Sequence, residues 1–370
     1  MRKRSRRSVS ARSRINWAGR KTRQKRRATY KRSGTAIQSI HRAGESKLAD
    51  AAYDAGLLEG AKSNAGEDEV LLYESPLQRA FTDWCAAHVK KRPDIRTMLR
   101  LSKSYTGGYA KASGRKDARI PLPLARTAAA VVCASNEQDT LGKVLQQLER
   151  LPFQEVIVVL NGCRDQSYSA ARNHRIASIL HVPGRLGHDV GRSMGAAMTS
   201  ADIVLFTDGD VVISAEELAP FIYKVDEGID AALNDLNPYL PPYMHQDEVT
   251  RCKSFLNTVL GHPELGANSL TAVPHALARR LIENIGSEQL MVPPKAQALA
   301  LAKGHRFALV QPVDVISANR KRPGNTGTGN AVADLIIGDH AEAFHALIDA
   351  GWMPQSSTVS RTEVALRRNA

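Results

Sequence analysis

The chain has 370 residues, enough for more than one average domain and for a sizeable buried core. Hydrophobic residues make up 43% and charged residues 24%, ordinary values for a globular protein. The sequence has no apolar run near the roughly 18–20 residues that span a bilayer, and its basic N-terminus lacks the apolar core of a secretory signal. Its four cysteines form no CxxC pair, which argues against a zinc site and a disulfide framework. We therefore expect a cytoplasmic protein, with a peripheral membrane location as the alternative.

The net charge of +14 is concentrated at the N-terminus. Residues 1–32 contain fifteen Lys and Arg and no acidic residue, which leaves 36 basic against 37 acidic residues in the rest of the chain. Residues 1–35 are predicted to form a disordered basic arm, because so few apolar side chains cannot offset the entropy of ordering it. Two interpretations stay open: contact with a polyanion (RNA, DNA or an anionic membrane surface), and a merely solvated tail.

Residues 36–125 are predicted to form a helical N-terminal extension. Two groups of apolar side chains there recur at helical spacing: Leu48, Ala51, Ala52 and Ala55, then Leu77, Phe81, Trp84 and Cys85. The sequence YTGGY at 105–109 is expected to interrupt the helical pattern. An extension that packs on the main domain is favoured over an independent domain.

Strands alternate with helices from residue 128 onward. Apolar runs of strand length occur at 128–134, 155–160, 179–182 and 203–207, with amphipathic helical stretches between them. This order predicts an α/β fold with a doubly wound, mostly parallel sheet. Residues 126–214 are taken as one half of it and residues 215–370 as the other. In the second half, strands are expected at 231–236 and 307–315, and helices at 274–285, at 294–303 and around Phe344.

The carboxyl ends of parallel strands are where open α/β sheets bind ligands. Asp208-Gly209-Asp210 follows the fourth predicted strand, and its two carboxylates repel each other unless a cation lies between them. Mn²⁺ and Mg²⁺ prefer a few carboxylates together with water and phosphate oxygens. The tripeptide alone is equally typical of a β-turn. Its position after a buried strand favours a metal site.

Three segments stand in the order and spacing of a known family: VVCASNEQDTLGKVL, EVIVVLNGCRDQS, and GRSMGAAMTSADIVLFTDGDVVI, the last of which contains the acidic motif. Over roughly 128–214 the chain resembles the family 2 glycosyltransferases, which have the nucleotide-sugar-binding GT-A (Rossmann-like) fold. The resemblance implies a nucleotide-sugar site. It places these residues around the base and ribose: Ala134, Ser135, Asn136, Glu137 and Asn161. It also places Arg192 near the donor diphosphate, and Asp208 and Asp210 on a divalent metal, with Asp208 contacting the donor as well.

The second half resembles a narrower group, the glucosyl-3-phosphoglycerate synthases, through HPELG at 262–266 and RKRP at 320–323. Departures from these families occur on the acceptor side. An acceptor-side carboxylate is replaced by PPKAQ at 293–297, and a metal-binding histidine by Asn319. Asn161 also stands where many members have aspartate.

The sequence thus predicts a metal-dependent transferase that moves a sugar from a UDP-linked donor to an unknown acceptor, with inversion. Such a transfer needs a base for the acceptor hydroxyl. The base is left open among five residues: Glu264, His275, Asp235, Asp339 and His340. His340 is also predicted as a late metal ligand. Two alternatives remain: a sugar-nucleotide-binding regulator or scaffold without transfer activity, and a nucleic-acid-binding protein that uses the basic arm.

Overall fold

A computed structural model describes residues 46–63, 71–114, 116–316 and 331–352. The chain divides into two compact units, residues 1–51 and residues 52–370. In the first unit the described residues, 46–51, are helical. The predicted basic arm, Asn319 and the segment 320–323 lie outside the described residues, and the interpretations attached to them stay predictions.

The second unit opens with three helices: α1 at 52–60, α2 at Pro76–His88 and α3 at Ile95–Ser113. Side chains cap two of these helices at the N-terminus. The Ser75 hydroxyl accepts a hydrogen bond from the Gln78 N–H before α2, and the Asp94 carboxylate accepts from the Thr97 N–H at the start of α3. The helical character predicted for this stretch is thus confirmed over the described residues.

The predicted interruption at 105–109 is wrong, because α3 continues through both glycines. A Cβ atom on Gly108 would lie 2.1 Å from the Tyr53 carbonyl oxygen and 2.9 Å from the Leu57 nitrogen, both in α1. The glycine therefore allows two helix backbones to approach closely. Tertiary packing here outweighs the low helix propensity of glycine.

The rest of the unit is built on a seven-stranded sheet. Its strands are β1 (Ala128–Ala134), β2 (Glu155–Asn161), β3 (Ala177–Val182), β4 (Ile203–Asp208), β5 (Ala231–Leu233), β6 (His275–Ala278) and β7 (Phe307–Leu309). The later helices are α4 (Leu141–Leu148), α5 (Ser167–Arg172), α6 (Val190–Met198), α7 (Ala215–Asp226), α8 (Glu248–Val259), α9 (Arg279–Ile285), α10 (Pro293–Ala302) and α11 (Ala331–Asp349).

The sheet order is β3-β2-β1-β4-β6-β5-β7. Strands β1 to β4 pair in parallel, as do β5 and β7, whereas β6 is antiparallel to β4 and β5. The first five residues of both β1 and β4 are buried, as expected for strands covered by helices on both faces. The α/β fold with a mostly parallel sheet is therefore confirmed.

One predicted helix is wrong in its first part. Residues 275–278 form β6, and α9 begins only at Arg279. The sequence HALA contains no β-branched residue, so local propensity favours a helix. Its place between two strands decides the outcome: His275 pairs with Phe206 of β4, Ala276 pairs with Ala232 of β5, and all four residues of β6 are buried. Strands β5 and β7 are also shorter than predicted.

None of the described helices combines the length and the hydropathy that crossing a bilayer requires.

The adjacent glycines of α3 provide a matched test of the close contact with α1. Gly108→Ala is expected to lower the free energy of unfolding by about 1–3 kcal/mol, because its new methyl group meets backbone atoms of α1. For Gly107→Ala, the nearest atom is a Tyr53 ring carbon at 3.9 Å, so the same change is expected to stabilise the helix by up to about 1 kcal/mol. Urea unfolding of both variants measures the difference. Equal effects would contradict the helix contact.

Candidate functional site

A cavity of about 380 Å³ opens at the carboxyl ends of β1, β2 and β4. It is lined by Cys133, Ala134, Ser135, Glu137, Asn161, Arg185, Gly187, His188, Asp189, Gly191, Arg192, Asp208, Asp210 and Leu335. Seven of the nine residues that the sequence assigned to the site are in this lining. The exceptions are Asn136 and His340.

Asn136 lies beside the cavity and joins two loops. Its backbone is in the left-handed region, with φ at 61°, a conformation that asparagine adopts more readily than most residues. Its Oδ1 accepts a hydrogen bond from the Arg164 N–H at 2.8 Å. The Glu137 N–H next to it donates to the Ser167 hydroxyl at 2.8 Å. These bonds hold the loop after β1 against the loop after β2.

Asp208 is the last residue of β4, and Asp210 follows after one glycine. The Asp208 side chain keeps 35% of its surface exposed in the cavity. Burial raises the pKa of Asp208 to about 6; the Arg192 charge opposes this shift, and the charges of Asp210 and Asp189 add to it. Crowded carboxylates of this kind attract a cation.

Arg192 is buried, and most of its donors are already used. Its guanidinium lies 3.0 Å from Asp189 Oδ1 and donates to the Leu270 carbonyl at 2.9 Å and the Thr271 carbonyl at 3.5 Å. Its Nη2 is 3.9 Å from Asp208 Oδ1. Arg192, which the sequence predicts near a diphosphate, thus lines the cavity as a fixed positive charge next to the Asp208 carboxylate.

Asn161, at the end of β2, uses its side-chain amide on the loop between β3 and α6. Its Oδ1 accepts from the Leu186 N–H at 2.9 Å, and its Nδ2 donates to the Gly187 carbonyl at 2.7 Å. This loop, residues 183–189, carries Arg185, whose Nη2 donates to the Ser135 hydroxyl at 3.3 Å. Asn161 therefore holds the loop against the sheet instead of presenting its amide freely to a base or ribose.

The sequence analysis missed three charged or ionisable residues of the cavity: Arg185, His188 and Asp189. All three belong to the loop 183–189, which contains Gly184 and Gly187 and lies between a strand and a helix. Glycines next to ionisable residues in such a loop were the sequence signal that could have identified these residues. Cys133 also lines the cavity, but burial raises the pKa of its thiol to about 12, so it is protonated at neutral pH.

The structure does not bring His340 to the cavity lining. Its Nδ1 lies 2.6 Å from the Ile336 carbonyl of its own helix, and the side chain is only 3% exposed. Its role as a metal ligand has no support from this arrangement and stays a prediction.

The other proposed bases also lie outside the lining. Glu264 is paired with His262 Nδ1 at 2.9 Å on the surface. His275 is buried, and burial lowers its pKa to about 3, so it is neutral. Asp235 caps a turn by accepting from the Asn237 N–H.

Asp339 is influenced electrostatically by a residue of the cavity lining. Burial raises the pKa of Asp339 to about 6, and the negative charge of Asp189 adds to this shift.

The donor set of the cavity fits a hard divalent cation. Asp208 and Asp210 provide carboxylate oxygens, the ligands that Mn²⁺ and Mg²⁺ prefer. The described residues contain no cluster of three or more His, Cys, Asp or Glu that would enclose an ion by itself. Two carboxylates facing an open cavity suit an ion that keeps water and ligand oxygens in its coordination shell.

Comparison with protein families gives one match that bears on this site. Residues 129–256 match the model described as glycosyl transferase family 2. This range contains every lining residue except Leu335. The predicted resemblance is thereby confirmed for this segment, and with the sheet described above the fold is the GT-A, Rossmann-like fold. Comparison with curated protein sequences finds no match.

Among solved structures, the chain is similar to glucosyl-3-phosphoglycerate synthase from Mycobacterium tuberculosis. Against its complex with UDP the identity is 22%, the match covers 59% of this chain and 80% of that chain, and the TM-score is 0.44. Against its complex with Mn²⁺, UDP and phosphoglyceric acid the values are 21%, 69%, 84% and 0.45.

Removal of the Asn161 amide is expected to loosen the loop 183–189. Asn161→Ala should speed hydrogen exchange of the Leu186 amide by roughly 5- to 10-fold, the equivalent of one hydrogen bond of ~1 kcal/mol. Asn161→Asp keeps the acceptor for that amide but loses the donor to Gly187, so a smaller increase is expected. The exposed Asn173, changed to Ala, is the control. Unchanged exchange in Asn161→Ala would show that the amide does not hold the loop.

The raised pKa of Asp208 has a consequence for stability. The folded carboxyl binds its proton more tightly than the unfolded one, so its contribution to stability is lost as pH rises through about 6. Asp208→Asn removes this loss. In metal-free buffer, the melting temperature of Asp208→Asn minus that of wild type should therefore be larger at about pH 7 than at about pH 4.5. A difference that does not change with pH would contradict the burial of this carboxyl and the raised pKa that follows from it.

Proposed function

We propose that the cavity binds a nucleotide-sugar together with a divalent cation, and that the protein transfers the sugar to an acceptor hydroxyl. The observation that carries this proposal is the convergence of Asp208 and Asp210 with the ends of β1 and β2 in one cavity. That edge of a parallel sheet is where α/β folds bind nucleotides. The family match of residues 129–256 supports a glycosyltransferase in particular.

The base and ribose of the donor are assigned to the part of the cavity formed by Ala134, Ser135 and Glu137. These residues follow β1, where backbone groups and short side chains can meet the edge of a base. A UDP-linked donor is the nucleotide that we propose. The diphosphate then points toward Asp208, and the exposed guanidinium of Arg185 is available to it on the loop side. Guanidinium donors match phosphate oxygens in pairs.

Asp208 and Asp210 are the residues that would hold Mn²⁺ or Mg²⁺ beside the diphosphate. A bound divalent cation supplies positive charge that stabilises the leaving diphosphate. Arg192 keeps the metal-binding carboxylate oriented, because its guanidinium is fixed by two backbone carbonyls. Transfer of a hexosyl group with inversion, by direct attack of the acceptor on the anomeric carbon, is the finer part of the proposal. The acceptor and its base are not assigned.

A second candidate is a sugar-nucleotide-binding protein without transfer activity. The start of α10 favours it, because PPKAQ at 293–297 stands where the family resemblance implies an acceptor-side carboxylate. This candidate shares the donor site with the first and differs only in turnover. An experiment that measures binding and turnover separately distinguishes them.

The metal-dependent donor site is tested by calorimetry with UDP, with and without Mn²⁺, on wild type and Asp210→Ala. Wild type should bind UDP more tightly with Mn²⁺. In the variant, the factor by which Mn²⁺ increases UDP affinity should be at least about tenfold smaller, the equivalent of ~1.4 kcal/mol. The reason is that one of two carboxylate ligands is gone. Glu264→Gln, an acidic residue outside the cavity lining, is the matched control and should behave as wild type.

Metal-independent UDP binding that Asp210→Ala leaves unchanged would overturn the donor-site proposal. Turnover is then measured as release of UDP from UDP-sugars, alone and with a broad panel of hydroxyl acceptors. Release with any acceptor supports the transferase. Tight Mn²⁺-dependent binding with no release across the panel supports the binding protein instead.

A further inference from the structure

Arg192 is held by the second half of the fold. Its guanidinium donates to the carbonyls of Leu270 and Thr271 at 2.9 and 3.5 Å, and it also meets Asp189 and Asp208. A buried guanidinium has to keep such partners, since an unpaired buried charge is costly. The position of the charge behind Asp208 therefore depends on where the loop before β6 places the Leu270 carbonyl.

Two buried side-chain amides fix that loop. The Oε1 of Gln297, on α10, accepts from the Leu270 N–H at 2.9 Å, and its Nε2 donates to Asn257 Oδ1 at 2.6 Å. Asn257, on α8, donates in turn to the carbonyls of Gly266 and Asn268 at 2.9 and 3.0 Å. Gln297 is 1% exposed and Asn257 is wholly buried. The loop is thus hydrogen-bonded at Leu270 and at two residues before it by groups that solvent does not reach.

These contacts form a continuous path from α10 to the end of β4. We propose that Gln297 is a positioning residue for the metal-binding carboxylate Asp208, and that it acts through Leu270 and Arg192. The inference rests on the proposed function, because it takes Asp208 as a metal ligand. It adds a residue of the second half, outside the cavity lining, to the residues that set the affinity of the metal site.

The physical reason is that a metal site tolerates little displacement of its ligands. Groups that hold a ligand in place without touching the ion change metal affinity by about 10- to 100-fold when they are removed. Loss of the Gln297 carbonyl leaves the Leu270 N–H buried without its acceptor, so the loop has to move to find another partner. Arg192 follows the Leu270 carbonyl, and the charge facing Asp208 moves with it.

The experiment measures Mn²⁺ affinity by electron paramagnetic resonance, in the presence of saturating UDP. Gln297→Met keeps the length of the side chain and removes both hydrogen bonds, and it is expected to weaken Mn²⁺ binding by about 10-fold. Gln297→Glu keeps both hydrogen bonds when its carboxyl is protonated, the form that burial favours: one oxygen accepts from the Leu270 N–H and the hydroxyl donates to Asn257 Oδ1. This variant should recover most of the affinity. If Gln297→Met does not fold, Gln297→Asn replaces it, because the shorter side chain withdraws the carbonyl from Leu270.

Gln78 provides the matched control. It is also a buried helical glutamine, and it bonds both backbone groups of Leu122 at 3.1 and 2.6 Å, away from the cavity. Gln78→Met should lower the melting temperature and leave Mn²⁺ affinity unchanged. A double variant tests the path itself: with Arg192→Lys present, Gln297→Met should have little further effect on Mn²⁺ affinity, because coupled residues are not additive.

The outcomes separate this inference from the proposed function. If wild type shows no Mn²⁺-dependent UDP binding, the proposed function fails first. If wild type binds Mn²⁺ and Gln297→Met binds it equally well, with only a lower melting temperature, Gln297 is structural and the inference is overturned. Additive effects of Gln297→Met and Arg192→Lys would overturn the path through Arg192.

Discussion

The contact between the Arg192 guanidinium and the carboxylates around it is the interaction on which the cavity depends. Arg192 comes from α6, Asp208 from the end of β4, and Asp189 from the loop before α6. A Cβ atom on Gly195 would lie 2.3 Å from a Val131 methyl group, so this glycine lets α6 lie directly on β1. That close packing brings the charge of the helix to the end of the sheet, where the carboxylates are crowded.

The two halves of the fold meet at this charge. Parallel strands of the first half deliver the carboxylates, while the loop before the antiparallel strand β6 delivers the carbonyls that hold Arg192. The insertion of β6 between β4 and β5 places the second-half loop beside the end of β4. A buried guanidinium held in this way costs less than an isolated charge, because both of its terminal nitrogens have partners.

The sequence was informative where local pattern and tertiary structure agree. Strands β1, β2 and β4 are continuous apolar runs bounded by polar residues, and Asp208 and Asp210 were located from their position after such a run. Strand β6 was not predictable, since HALA gains its strand conformation only from pairing with Phe206 and Ala232. The roles of Asn161 and Arg192 were also out of reach. Both side chains bond backbone groups that are distant in sequence or lie in an irregular loop, and no spacing encodes such bonds.

The floor of the cavity and the loop 183–189 on one side of it are held in place by different contacts. Its floor is made of strand ends and of the buried guanidinium of Arg192, which two backbone carbonyls hold in place. Binding to groups that are held in this way costs little conformational entropy. The loop 183–189 is exposed, and Asn161 links it to the sheet through two hydrogen bonds. Arg185 lies on that loop, so an exposed guanidinium belongs to this side of the cavity. Adjustment to a ligand is therefore expected in this loop, while Asp208 and Arg192 keep their positions.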